Sequence, residues 1–185
     1  MKSRCFTGLI WMFAFLFLSC DEKKTDQYIS VVFSLNAYVN PFVGTSGFGN
    51  VYPGAQIPFG GIQISPDTDK DYYDAASGYK YDHMTIMGFS LTHLSGTGIP
   101  DLGDFLFIPG TGMKKFVPGT HENPDEGYRS RYSHEREWAS TNYYGVDLLD
   151  YDVKSEMTSG RHSGIFKFTF PESDSSFVMI DMDHV

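Results

Sequence analysis

Cysteine is scarce in this chain of 185 residues, and both cysteines, Cys5 and Cys20, lie within the first 20 residues. The remaining sequence therefore cannot form a disulfide framework, a zinc site built from thiolates or a cysteine nucleophile. Enzymes that depend on a reactive thiol are excluded.

Several signatures of common enzyme classes are also missing. The sequence has no G-x-S-x-G pentapeptide, the strained turn that exposes the nucleophile of many serine hydrolases. It contains no P-loop, no H-E-x-x-H zinc motif and no dinucleotide-binding fingerprint. These absences argue against serine hydrolases of that type, P-loop nucleotidases, zinc proteases and dinucleotide-dependent enzymes.

Positive charge is low, with 14 Lys and Arg residues against 23 Asp and Glu residues and a net charge of −9 at pH 7. A polyanion would be repelled by such a surface, so nucleic acid is disfavoured as a partner. Neutral carbohydrate is compatible with this charge.

Aromatic and turn-forming residues are abundant, with 16 Phe, 12 Tyr, 19 Gly and 9 Pro. This mixture is typical of short strands joined by many turns. Strands are predicted at Phe59–Ile64, at Phe105–Ile108 before Pro109-Gly110, and in the alternating stretch FKFTF at 166–170. Residues 67–83 are predicted to form a surface loop. The sequence therefore predicts an all-β fold, an antiparallel β-sandwich.

The N-terminus has the pattern of a secretory signal. Lys2 and Arg4 precede an apolar run from Leu9 to Leu18, which is too short to span a bilayer comfortably, and Leu-Ser-Cys follows. This ending resembles a bacterial lipoprotein signal, with 1–19 as signal peptide, Cys20 as the lipidated residue and 20–36 as a tether. An ordinary cleaved signal or a short membrane anchor is the alternative. We expect an exported lipoprotein of the outer membrane or cell surface, with the periplasmic side as the other location.

Three stretches carry a family resemblance: YVNPFVGTSGFGNVYPGAQIPFGGIQISPDT at 38–68, SGYKYDHMTIMGFSLTHLSGTGIPDLGDFLFIP at 77–109, and GRHSGIFKFTFP at 160–171. They resemble glycoside hydrolase family 92, calcium-dependent inverting exo-α-mannosidases. The resemblance implies that 37–185 is the N-terminal, galactose-mutarotase-like β-sandwich. The chain ends directly after an apolar strand, so we expect this domain to be incomplete and the catalytic (α/α)₆ barrel to be absent.

In this family the acid, the base and the calcium ligands lie in the barrel. The resemblance therefore implies no catalytic residue and no metal ligand in this chain, with calcium bound only in the full-length enzyme. The implied partners are mannose-containing glycans, the missing barrel and a membrane reached through the lipid anchor.

The segment HLSGTG at 93–98 is a candidate sugar-binding loop, because the resemblance implies that sandwich loops close over the sugar. His93, Ser95 and Thr97 offer small donors and acceptors, and the two glycines allow backbone to approach a ligand closely. The alternative is that His93 and Thr97 satisfy buried backbone groups.

Three further residues are implied as substrate contacts. Tyr73 aligns with an aromatic residue, often Trp in the family, that contacts the sugar beyond the cleaved bond; Asn50 stands where members often have His, and Phe48 occupies a variable position. A surface Tyr packed on its own loop is the alternative for Tyr73. Asp101 and Asp104 are spaced as turn residues that cap exposed N–H groups, with metal binding as the weaker alternative.

The function predicted from the sequence is that of the N-terminal part of an exo-α-mannosidase, which supplies cleft loops but is inactive alone. Two alternatives stay open: a non-catalytic carbohydrate-binding surface lipoprotein, and an inactive truncated gene product.

Overall fold

The computed structural model describes residues 35–70 and 73–184. The predicted signal peptide, Cys20 and nearly all of the predicted tether lie outside the described residues. The chain divides into two compact units, residues 1–38 and residues 39–185. Within the described residues, no helix has both the length and the apolar character needed to cross a membrane.

The described part of the second unit is built from strands, turns and three short 3-10 turns at Tyr73–Ala75, Pro124–Glu126 and His134–Arg136. In chain order the strands are β1 (Ala55–Gln56), β2 (Gln63–Asp67), β3 (Thr85–Ile86), β4 (Gly88–Ser90), β5 (Leu106–Gly110), β6 (Ser130–Arg131), β7 (Glu137–Ser140), β8 (Tyr143–Leu148), β9 (Val153–Ser159), β10 (Gly164–Thr169) and β11 (Phe177–Asp181).

These strands form two main antiparallel sheets and a small third one. The five-stranded sheet has the order β1-β2-β4-β5-β11, the four-stranded sheet has the order β10-β9-β8-β7, and β3 pairs with β6. Strands β1, β2 and β5 of the first sheet contact β9 of the second. The two sheets thus pack face to face, and the predicted all-β sandwich is confirmed.

The core between the sheets is strongly aromatic. Its buried members are Tyr52, Ala55, Ile64, Tyr79, Ile86, Phe89, Tyr132, Tyr144, Val146, Leu148, Val153 and Met157. The predicted alternation in β10 is confirmed, because Phe166 and Phe168 pack on this core while their neighbours Ile165 and Lys167 are exposed. A period of two places one set of side chains on the buried face of the strand.

One carboxylate is buried in this core. Glu137, at the start of β7, accepts hydrogen bonds from the hydroxyls of Tyr79 (2.9 Å) and Tyr144 (2.5 Å). His134 Nδ1 lies 2.6 Å from the second carboxylate oxygen of Glu137. The tyrosine hydroxyls therefore satisfy a charge that would be costly to bury alone.

Three local predictions are wrong. Phe59 lies in a turn, with φ of 58° and a 98% exposed side chain, so the strand begins only at Gln63. Strand β5 continues through Pro109 and Gly110, because β4 pairs with β5 only at Phe89 and Phe107 and leaves Pro109 without a strand partner on that side. The predicted surface loop 67–83 begins with Asp67 and Thr68, which are buried.

Candidate functional site

Three loops meet around Asn50, which hydrogen-bonds to two of them. Its backbone carbonyl accepts a hydrogen bond from the Gly96 N–H (2.6 Å), and its side-chain Oδ1 accepts one from the Ala76 N–H (3.2 Å). Asn50 is 7% exposed and has a φ of 48°, a left-handed conformation that asparagine tolerates better than most residues. We call the segments 43–50, 73–78 and 93–99 the loop cluster.

Tyr73 presents an aromatic surface on the loop cluster. Its side chain is 66% exposed, while its hydroxyl end lies against Gly98. A Cβ atom at Gly98 would lie 2.9 Å from the Tyr73 hydroxyl oxygen, so the absence of a side chain at 98 allows this placement. The exposed ring face can stack on an apolar face of a sugar.

The other predicted contacts on this surface differ in their surroundings. Ser95 is exposed, and Thr97 Oγ1 donates to the Ile99 carbonyl (2.9 Å) within its own loop. Phe48 is 78% exposed, two residues before Asn50. The structure therefore brings Asn50, Tyr73 and the 95–98 segment together, with Phe48 on the loop that Asn50 ends.

His93 is the first residue of the 93–99 segment of the loop cluster, and it is buried. Its Nδ1 is 2.6 Å from the Gln63 carbonyl oxygen, and its Nε2 is 2.9 Å from Asp67 Oδ1. Ser90 Oγ donates to the other carboxylate oxygen of Asp67 (2.6 Å). Both ring nitrogens of His93 are thus bound to protein, and the contact of Nδ1 with the Gln63 carbonyl fits the alternative in which His93 satisfies a buried backbone group. A sugar contact of His93 stays a prediction.

The protonation of this buried group follows from its partners. A backbone carbonyl and a carboxylate can only accept, so both nitrogens of His93 donate and the ring is an imidazolium. Burial alone would lower the pKa of His93, but the charge and hydrogen bond of Asp67 raise it above its usual value. Burial would likewise raise the pKa of Asp67, but the charge of His93 and hydrogen bonding lower it well below its usual range.

A small cavity of about 100 Å³ lies beside this ion pair. Lys70, Asp101 and His184 line it together with Asp67 and His93. Asp101 Oδ1 accepts from the Leu102 N–H (2.9 Å), as expected for a carboxylate in a turn, and Asp104 is exposed. Among the described residues, neither of these two carboxylates belongs to a group with metal-ligand spacing.

Two sets of polar residues were not predicted from the sequence. The first is Asp67, Ser90 and His184 around His93, which depends on the pairing of β2 with β4. The second is Asp69, His83 and His121, whose potential ligand atoms all lie within 4.8 Å of one another. Calcium takes six to eight oxygen ligands, so a group with two imidazoles does not fit it.

The fold is a two-sheet sandwich whose loop cluster presents exposed aromatic and polar side chains. The model of the glycosyl hydrolase family 92 N-terminal domain matches residues 38–185. The chain belongs to glycosyl hydrolase family 92, which confirms the resemblance seen in the sequence.

Solved structures of this family resemble the chain closely. An α-mannosidase of family 92 from Bacteroides thetaiotaomicron, solved in complex with mannoimidazole, is 78% identical, with a TM-score of 0.80, over 81% of this chain and 20% of its own. A family 92 inverting mannosidase from the same organism is 28% identical, with a TM-score of 0.63, over 78% of this chain and 19% of its own.

A curated relative is more distant. An uncharacterized secreted glycosidase from Arthroderma benhamiae is 27% identical over 139 residues, which are 75% of this chain and 18% of the relative. The chain thus spans about a fifth of the length of the relatives that it matches.

Proposed function

We propose that this domain forms one wall of the substrate cleft of an inverting exo-α-mannosidase that acts on mannose-containing glycans. The observation that carries the proposal is the 78% identity to an α-mannosidase solved with mannoimidazole, over 81% of this chain. An inverting mannosidase of the same family supports the stereochemical outcome.

In this proposal the loop cluster contributes binding rather than proton transfer. The exposed ring of Tyr73 stacks on the sugar, and Asn50 fixes the backbone of the 95–98 segment through the Gly96 amide, so that Ser95 meets sugar hydroxyls. Inverting hydrolysis needs a carboxylic acid and a carboxylate on opposite faces of the sugar, about 6.5–9.5 Å apart. The family's barrel domain supplies that pair, so this chain alone is inactive.

A domain exchange tests the proposal. Residues 39–184 replace the corresponding segment of the Bacteroides thetaiotaomicron α-mannosidase. Hydrolysis of α-mannosides is then measured for the exchanged enzyme with and without Tyr73→Ala. We expect the exchanged enzyme to cleave α-mannosides, and Tyr73→Ala to lose roughly 10-fold in kcat/KM, since a stacked ring contributes about 0.5–1.5 kcal/mol beyond its buried area.

The matched control is Phe116→Ala, which removes another exposed aromatic ring, 78% exposed against 66% for Tyr73, outside the loop cluster. Its kcat/KM should stay within about 2-fold of the unsubstituted domain. The proposal is wrong if the exchanged enzyme folds but does not bind mannosides, or if the 185-residue chain alone cleaves them.

We also propose export and lipidation at Cys20. The secretory pattern of residues 1–19 supports this, and a curated relative is described as secreted. Labelling of expressing cells with a fatty-acid probe should mark the wild-type chain but not Cys20→Ser. Calcium remains a proposed cofactor of the complete enzyme, held by ligands that this chain does not supply.

A further inference from the structure

Asp69, His83 and His121 come from three separate stretches of the chain and meet beside an open cleft. Asp69 follows β2, His83 precedes β3, and His121 lies in the long connection from β5 to β6. The two imidazole rings are 4.0 Å apart between centroids, and His121 Nε2 is 3.1 Å from Asp69 Oδ2. All three residues are half-buried. We propose that they bind Zn²⁺ or a similar divalent transition metal.

The ligand types favour such a metal. Two imidazole nitrogens and one carboxylate oxygen are a common zinc set, and imidazole also suits copper, nickel and iron. Bonds of about 2.0–2.2 Å in a tetrahedral site require ligand atoms roughly 3.3 Å apart. The three atoms here already lie within 4.8 Å of one another, so small side-chain rotations complete the site.

A threonine hydroxyl forms a hydrogen bond with the Nδ1 atom of each histidine ring. Thr68 Oγ1 is 3.0 Å from His83 Nδ1, and Thr85 Oγ1 is 2.9 Å from His121 Nδ1. A hydroxyl both donates and accepts, so Thr68 can support the His83 tautomer that carries its proton on Nδ1 and its lone pair on Nε2. Outer hydrogen bonds of this kind orient metal-binding histidines.

Arg129 lies directly beside this site. Its guanidinium nitrogen lies 3.1 Å from His121 Nδ1 and 2.9 Å from Thr85 Oγ1. Its positive charge repels a cation, and the Asp69 carboxylate offsets that repulsion.

The surroundings leave room for a further ligand. The cleft has a volume of about 540 Å³, and Lys80, Asp82, Pro118 and Glu122 also line it. Three protein ligands and water in an open position are the arrangement of accessible zinc sites. A bound metal would also tie the β5–β6 connection to the five-stranded sheet, so its binding should raise the melting temperature.

Calorimetric titration of the full 185-residue chain tests the site, without an affinity tag and in mild detergent. The titrant is ZnCl₂ alone, and Co²⁺ provides a visible spectrum that reports tetrahedral coordination. We expect one Zn²⁺ per chain and no competition by Ca²⁺. Asp69→Asn, His83→Gln and His121→Gln should each weaken binding by about 100-fold or more, beyond the roughly 10–100-fold expected when Thr85→Val removes an outer partner.

Two controls separate this site from others in the chain. His162→Gln removes an exposed histidine elsewhere and should leave the affinity unchanged. A Cys5→Ser, Cys20→Ser chain should also bind Zn²⁺ normally, since the proposed site uses no thiol. Circular dichroism without metal establishes that each variant folds. Absence of binding, or binding by folded variants that lack His83 or His121, would overturn the proposal.

Discussion

Asp67 and His93 form a buried ion pair, with 2.9 Å between Asp67 Oδ1 and His93 Nε2 and with both side chains at most 3% exposed. The pair joins the end of β2 to the segment that follows β4, at the start of the 93–99 part of the loop cluster. Its position indicates that the sequence HLSGTG combines two tasks: the histidine anchors the loop, while the residues after it form the outer surface.

Removal of either member of this pair should destabilise the domain strongly. Asp67→Asn or His93→Ala leaves the other charge buried without its partner, which costs about 3–5 kcal/mol in comparable cases. Urea denaturation followed by circular dichroism measures the free energy of unfolding. Ser95→Ala, two residues away on the exposed surface, should change it by less than about 0.5 kcal/mol. Equal effects of His93→Ala and Ser95→Ala would show that the pair contributes little.

The Asp67–His93 pair should make the free energy of unfolding fall both at low pH and at high pH. The folded pKa of His93 is raised, so its contribution is complete below the unfolded value of about 6.5 and is lost as pH rises through the folded pKa. The folded pKa of Asp67 is lowered, so its contribution is present above about pH 3.9 and is lost as pH falls through the folded pKa.

We therefore expect the free energy of unfolding to be highest between roughly pH 4 and 6.5 and to decline above that range. Urea denaturation at a series of pH values measures this, and a folded His93→Gln variant should lose most of the decline above pH 6.5. A wild-type domain whose stability rises from pH 6.5 to pH 9 would contradict the assignment of a charged His93.

The sequence was sufficient for the features that depend on local pattern. The alternation of Phe166 and Phe168 with polar or exposed neighbours predicts a half-buried strand, because the period of two needs no knowledge of the partner strand. Tyr73 was correctly placed in a connection between strands, since the stretch around it is polar and aromatic with no strand-like alternation.

The sequence could not predict features that depend on pairing between distant segments. Asp67 meets Ser90 and His93 only because β2 and β4 pair with Asp67 opposite Gly88. Asp69 and His121 are 52 residues apart and meet only when the β5–β6 connection folds back. Phe59, apolar but exposed in a turn, was misassigned because a hydrophobic side chain also suits a buried strand.

Gly78 should tolerate no side chain, because its Cβ would enter the ion pair. A Cβ there would lie 2.3 Å from Asp67 Oδ1 and 2.9 Å from His93 Cδ2, at a φ of 83°. Gly112 has nearly the same φ, 80°, but open space around the added atom. Gly112→Ala should therefore cost only the backbone strain, about 1 kcal/mol, and Gly78→Ala about 3 kcal/mol or more. Thermal and urea unfolding measure the loss of stability in the two variants. Equal losses would mean that the backbone conformation alone determines the cost of a side chain at Gly78.

Adjacent tyrosines on β8 provide a last comparison, since each donates to a glutamate in a different environment. Tyr144 donates to the buried Glu137, whereas the hydroxyl of Tyr143 donates to Glu156, which also has Lys167 Nζ at 2.9 Å. Tyr144→Phe removes a buried hydrogen bond to a charged group, so we expect a loss of about 1.5–3 kcal/mol. Tyr143→Phe leaves Glu156 paired with the lysine and should cost less than about 1 kcal/mol.

Urea denaturation at neutral pH measures the loss of unfolding free energy in Tyr144→Phe and in Tyr143→Phe. Each variant removes a single hydroxyl group, so the two losses can be compared directly. A Tyr79→Phe, Tyr144→Phe double variant should lose more than the sum of the two single variants, because Glu137 then loses both hydroxyl donors in a buried site. If the loss in the double variant equals the sum of the two single losses, the two hydrogen bonds act independently. Water would then replace each missing hydroxyl as a donor to the Glu137 carboxylate.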